Sequence, residues 1–236
     1  MEAVYHAQET RGKADFGWLK SRHTFSFSSY YEPNRIQFGK LRVLNDDIVI
    51  GGKGFPPHPH ENMEIVSIPL SGSLEHQDSE GNRSVIKAGE VQIMSAGTGI
   101  VHSEYNASPS EAVNFLQIWI LPDKAGIAPR YEQKKFNVED RLGKFQTVVS
   151  PEKESGGVWI NQNVIFSLAN GKRESEIDYI PKNESGGVYF FLISGSVEIE
   201  GKKLSARDGL GLPYSSKFEV HFLEDSELLA IDTPSS

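Results

Sequence analysis

The amino-acid sequence predicts an all-β protein built from two β-barrels with few short helices. Three observations carry that expectation. Apolar and polar residues alternate over short runs, the period of a strand with one buried face. Glycine is frequent, 22 of 236 residues, and together with Asn, Asp and Pro it punctuates those runs. One stretch also echoes another. Ile68-Pro69-Leu70-Ser71-Gly72-Ser73-Leu74-Glu75 is answered by Phe191-Leu192-Ile193-Ser194-Gly195-Ser196-Val197-Glu198, and Ala88-Gly89-Glu90 by Arg207-Asp208-Gly209.

Composition narrows the class. With 24% charged and 38% hydrophobic residues the chain is globular. Its formal net charge of −8 would repel a phosphate backbone, which argues against direct nucleic-acid binding. No apolar run approaches the length of a membrane span, and the polar start Met1-Glu2-Ala3-Val4-Tyr5-His6 lacks the pattern of a signal peptide. There are no cysteines, hence no disulfides and no thiolate ligands. A cytoplasmic location is the expectation.

The elements follow in order. Phe25 and Phe27 alternate with Thr24 and Ser26, which predicts a strand over His23–Ser28. Tyr30-Tyr31-Glu32-Pro33-Asn34 reads as a loop, and the aromatic residues around it are candidates to line a pocket for a flat substrate. Leu41–Leu44 and Ile48–Ile50 read as two short strands joined by a turn at Asn45-Asp46-Asp47. Gly51-Gly52-Lys53-Gly54 loosens the backbone before Pro56, Pro57 and Pro59. Proline cannot donate to a sheet ladder, so this segment should lie at an edge or a barrel mouth. Glu64, Val66, Ile68 and Leu70 share one parity. Leu74-Glu75-His76-Gln77 follows a turn at Ser71-Gly72-Ser73 and places His76 on the core face. Asp78-Ser79-Glu80-Gly81-Asn82 reads as a hairpin turn. Val113–Leu121 is a nearly continuous apolar strand with Gln117 polar in its middle, a buried amide that needs partners. Asn137–Gly143 is predicted as one short helix, Asn137 its cap and Gly143 its stop. The pattern weakens between Pro122 and Ser150, and the domain change is placed there: residues 1–138, then residues 139–236. Seven further short strands follow.

Chemistry concentrates in two pairs, His58-Pro59-His60 and His102-Ser103-Glu104. Residues two apart in a strand point to the same face. If the two strands are neighbours, three imidazoles and a carboxylate converge. That donor set suits a first-row divalent metal such as iron, nickel, copper, zinc or manganese, with positions left for water, oxygen or a substrate. The second half carries a single histidine, His221, and neither pair, so its barrel is expected to lack a metal and to complete the pocket of the first.

The spacing resembles the cupin motifs. Gly52, His58, His60, Glu64 and Gly72 are similar to the first; Gly89, Gly97, His102 and Asn106 are similar to the second. Ser95 stands where that second motif usually has proline, and the gap from Gly97 to His102 is long. Both departures fit the pirin family, particularly its bacterial quercetinase-like members. The runs Trp18–Phe27, Gly54–His60 and Ser95–Asn106 resemble that family closely. The resemblance implies a bicupin of two jelly-roll barrels. It implies one divalent transition metal, iron first, with nickel, copper, zinc, manganese or cobalt also suited, on His58, His60, His102 and Glu104. Glu104 then doubles as the catalytic acceptor of a proton, and Glu64, a ligand in many cupins, becomes a hydrogen-bond acceptor for a ligand imidazole. The implied reaction is ring opening of a flavonol such as quercetin by dioxygen with loss of carbon monoxide. The alternative that the family offers is a non-catalytic iron-sensing protein acting through protein partners.

Overall fold

In the computed structural model, which describes residues 1–235, the strands form four sheets: seven strands and four strands in each half of the chain. Helical structure among the described residues is confined to three short 3-10 turns. In each half the large and small sheets enclose a hydrophobic interior. Leu19, Val49, Leu74, Ile86, Val113 and Phe115 fill the first, and Val188, Phe190, Leu192, Val197, Val220 and Phe222 the second. This is the all-β, two-barrel arrangement expected, with jelly-roll-like sandwiches whose sheets are not continuous rings.

The halves meet through the outer faces of their large sheets. Leu44, Val66, Ile68, Leu116 and Ile118 from the first half pack in one cluster with Phe166, Leu168, Tyr189, Phe191 and Ile231 from the second. A central strand is therefore apolar on both faces, which is why Val113–Ile120 reads as a continuous hydrophobic run. The chain also crosses between halves. Val4–His6 pairs antiparallel with Gly209–Pro213 and so extends the sheet of the second half. The sequence echo has a structural counterpart. Gly72 and Gly195 each sit at positive φ in the turn between two strands, at 73° and 86°. Glycine enters that region without a Cβ penalty.

Three local expectations are corrected. Leu41–Val49 is one nine-residue strand, with no turn at Asn45-Asp46-Asp47. It is hydrogen-bonded on both sides, to Leu19–His23 and to Val113–Ile120. Tertiary pairing overrides the turn preference of Asn and Asp. The strand expected at His23–Ser28 ends at His23. Beyond it the backbone turns, with Phe27 and Tyr30 exchanging backbone hydrogen bonds and Ser28 at φ 53°. The helix expected at Asn137–Gly143 is a 3-10 turn over Val138–Arg141, and the Asn137 side chain makes no capping bond. Arg141 faces inward instead, donating to Asn170 and Glu227.

Glu64 also departs from expectation. Its buried carboxylate touches no ligand imidazole; it clasps the two halves together. Oε2 accepts from Ser95 Oγ at 2.9 Å and from the Asn161 backbone N–H at 3.0 Å, and Oε1 from the Gln162 backbone N–H at 2.8 Å. A buried carboxylate is tolerated where donors surround it in this way. Glu64→Leu strands those donors, so the substitution should cost about 3 kcal/mol. Urea unfolding followed by tryptophan fluorescence should show the midpoint fall accordingly.

Candidate metal centre

The two histidine pairs sit on adjacent strands of the first small sheet. Gly54–His60 is its edge strand, as the prolines required, and Ile100–Asn106 lies beside it. The register sets His102 directly opposite His58, with an irregularity between His102 and Glu104. The turn that delivers this strand depends on Gly97, at φ 49°, where a Cβ would lie 2.0 Å from the Ile127 carbonyl oxygen. On its other side Ile100–Asn106 pairs with Ser73–Asp78, setting His102 opposite Asp78 and Glu104 opposite His76.

The result is a cluster of three imidazoles, His58, His60 and His102, with one nitrogen from each lying within 4.8 Å of the others. Hydrogen-bond partners set the tautomers of His58 and His102. His58 Nδ1 lies 2.8 Å from the Pro56 carbonyl oxygen, an acceptor only, so Nδ1 carries the proton and Nε2 a lone pair. The Asp78 carboxylate accepts from His76 Nε2 at 2.9 Å. His76 Nδ1 lies 3.5 Å from His102 Nδ1, so one ring donates to the other there. Where His102 is the donor, its Nε2 carries the lone pair. It is buried and has no hydrogen-bond partner among the described residues. A buried, unpartnered acceptor is costly, and a cation between the three rings would satisfy it. The donor set fits a divalent transition metal on this ground.

Electrostatics favour the same state. Burial, then the neighbouring His102 and His58, pushes His60 down to about 4. Burial, then His58 and His76, pushes His102 down to about 3. Both rings stay neutral, and neutral imidazole is the ligating form.

Glu104 borders the same cavity as His58 and His60, and its charge opposes the lowering of the His60 pKa. Its carboxylate is not part of the close imidazole cluster. Gln117 Nε2 donates to Glu104 Oε2 at 2.7 Å. Ser67 Oγ lies 3.0 Å from Gln117 Oε1 and 3.3 Å from Glu104 Oε1. One hydroxyl proton serves one acceptor at a time, and the shorter contact leaves Glu104 Oε1 lightly held. Gln117 thus finds the partners its burial required and braces the site. His76 also supports the site, from behind His102.

The cavity has a volume of about 400 Å³. Phe16, Phe27, Phe55 and Trp119 give it aromatic walls, whereas Tyr30 and Tyr31 of the expected aromatic cluster do not line it. Its lining belongs wholly to the first half, so the second half does not complete the pocket as expected. The second half supports the sheet from behind. His221 is half-exposed and pairs with Glu176 at 2.9 Å, away from any imidazole cluster among the described residues.

Sequence reasoning missed Ser21, His23, Asn45 and Asp47, which line the same cavity. The parity Leu41, Val43, Asn45, Asp47, Val49 was the available signal, since all five are buried. Burial pushes the Asp47 carboxyl up to about 7, against a hydrogen bond from Ser21.

The model of the family described as Pirin matches residues 4–120, and that of the quercetinase C-terminal cupin domain matches residues 147–233. The chain is 45% identical over 225 residues to a quercetin 2,3-dioxygenase of Escherichia coli K12, covering 95% of each. This chain belongs to the pirin family. A putative quercetin 2,3-dioxygenase of Pseudomonas aeruginosa is 43% identical, covering 94% of this pirin and 95% of that protein. The solved bacterial pirin YhhW from Escherichia coli, in complex with nickel(II), superposes with a TM-score of 0.93 at 41% identity, covering 99% of this pirin and all of that chain. The two-barrel cupin fold is that of pirins.

Two predictions follow from the histidines. His76→Phe keeps the ring packing but removes the acceptor behind His102, and should weaken metal binding about 10- to 100-fold, measured by chelator competition. Metal-free protein should lose stability as pH falls from about 6.5 towards 4. Over that interval the unfolded imidazoles take up protons while folded His60 and His102 stay neutral, so the unfolded state binds more. The drop in urea midpoint between pH 7.5 and pH 5 should be smaller in a His60→Asn, His102→Asn double variant.

Proposed function

We propose that this pirin is a metal-dependent flavonol dioxygenase of the quercetin 2,3-dioxygenase type, opening the flavonol ring with dioxygen and releasing carbon monoxide. One observation carries the reading: three imidazoles converge beside an aromatic-walled cavity that also holds a lightly bonded carboxylate oxygen. His58, His60 and His102 would hold the cation, with Glu104 as the fourth donor. Iron, nickel, copper, zinc, manganese and cobalt all suit that set. The nickel(II) complex of YhhW supports nickel among them. The first half, residues 1–138, carries the site, and residues 139–236 form the half without a metal.

The cavity volume falls in the range that ordinarily takes a drug-sized ligand. Phe16, Phe27, Phe55 and Trp119 supply flat apolar surface for the fused rings and exclude water from them. When bound, the cation supplies Lewis acidity, lowering the pKa of a hydroxyl placed on it. Glu104 Oε1 accepts the proton from the flavonol hydroxyl beside the ring carbonyl. Gln117 keeps Oε2 in place meanwhile, so the carboxylate does not swing away as it changes charge. Release of the proton leaves an electron-rich enolate, the species that reacts with dioxygen. Relatives named quercetin 2,3-dioxygenase support the substrate class.

Glu104→Gln keeps the shape and loses the proton acceptor. It should retain metal on the three imidazoles and lose about 100-fold or more in kcat. Oxygen uptake and carbon monoxide release with quercetin check this, alongside elemental analysis of the variant. Unchanged oxygen uptake would sink the assignment.

A further inference from the structure

The inward face of the first large sheet carries a row of polar side chains where a barrel interior ordinarily has apolar ones. The register sets Ser67 opposite Gln117, Gln117 opposite Asn45, and Asn45 opposite His23, across four neighbouring strands. Ser21 and Asp47 face each other two residues along the last pair of those strands. All six side chains are buried. Burying this many polar groups on one wall is costly unless each finds a partner.

One end of the row is accounted for, because Ser67 donates to Gln117 and Gln117 donates to Glu104. The other end is not. Asp47 lines the cavity, and its Oδ1 has no partner among the described residues. His23 Nδ1 lies 2.9 Å from Asn45 Oδ1, an acceptor, so Nδ1 carries the proton and neutral His23 keeps a lone pair on Nε2. Ser21, His23 and Asp47 all border the cavity. Strands lie about 4.8 Å apart, so His23 stands about 10 Å from Gln117, which touches Glu104. That separation is comparable to the span of a flavonol between its enol and the hydroxyls of its far ring.

Resting on the flavonol reading above, we propose that Ser21, His23 and Asp47 form a second, hydrogen-bond-accepting subsite that binds the hydroxyls on the far ring of a polyhydroxylated aromatic substrate. The imidazole end then selects an enol beside a carbonyl, and this end selects for further hydroxylation. Asp47 contributes most in its ionised form, above a pH of about 7, where the oxygen not held by Ser21 gains a donor when such a hydroxyl arrives. An apolar ring edge at the same place leaves that oxygen unsatisfied, which is a penalty against less hydroxylated analogues.

The test uses nickel-loaded full-length protein without oxygen, titrated with quercetin and with 3-hydroxyflavone, which keeps the enol and carbonyl but lacks the other hydroxyls. The absorbance shift of the bound flavonol reads both affinities. Wild type should bind quercetin about tenfold more tightly. Asp47→Ala should reduce that ratio to near one, and Asp47→Asn, which keeps one acceptor oxygen, should give a value between. Ser21→Ala serves if Asp47→Ala does not fold, and should lower the ratio as well. Equal affinities in wild type, or variants that weaken both flavonols by the same factor, overturn the subsite and leave the flavonol reading standing. Failure of wild type to bind either one overturns both.

Discussion

The candidate site depends on keeping three imidazoles uncharged and close together. Rings with nitrogens within 4.8 Å of one another repel as soon as they protonate, and the interior offers little solvent to screen that repulsion. Burial keeps His60 and His102 uncharged, and acceptors behind His58 and His102 set which nitrogen carries the proton. The Pro56 carbonyl fixes the proton of His58 on the far nitrogen. Asp78 does the same for His102 at one remove, through His76. For His58 and His102 the lone pair points inward because the ring's other nitrogen is engaged. Without those acceptors the same residues could sit in the same places and present N–H groups to the cavity.

The surrounding architecture can be understood as support for that arrangement. An edge strand rich in proline brings two histidines without having to pair on both sides. The neighbouring strand has ladder bonds on both sides, so His102 and Glu104 gain the rigidity that the edge lacks. Across the cavity, the large sheet is stiffened from behind by the second half of the chain, whose packing makes one continuous apolar layer. The second half therefore serves the site through the sheet and contributes no lining residue. Glu64 illustrates the division of labour. A carboxylate at the position of a common cupin ligand is buried among backbone N–H groups from the other half, where it joins halves instead of holding a cation.

Several features lie outside the reach of local pattern. Asn45 and Asp47 look like turn residues because their side chains hydrogen-bond nearby backbone in isolated chains. In the folded protein, partners on both edges hold that backbone extended, and the two side chains become cavity walls. Phe25 and Phe27 continue an alternating pattern past the end of their strand. Phe25 enters the layer between halves, whereas Phe27 reaches the cavity and meets the Trp119 ring edge-on at 5.3 Å. Alternation reports which residues want burial, and says nothing of which interior they enter.

By itself the sequence determined the class of the fold, the strand pairs that carry histidines, the edge placement of the proline segment and the repeat that relates the halves. These are short-range properties: two-residue periodicity, the missing N–H of proline, the positive φ that glycine permits. The role of Glu64, the polar row ending at His23 and Asp47, the bracing of Glu104 by Gln117 and the crossing of Val4–His6 into the other sheet were decided only in three dimensions. Each depends on which strands become neighbours and in what register. Sheet register is set by the sum of all the packing around a strand, so no single stretch of the chain contains it.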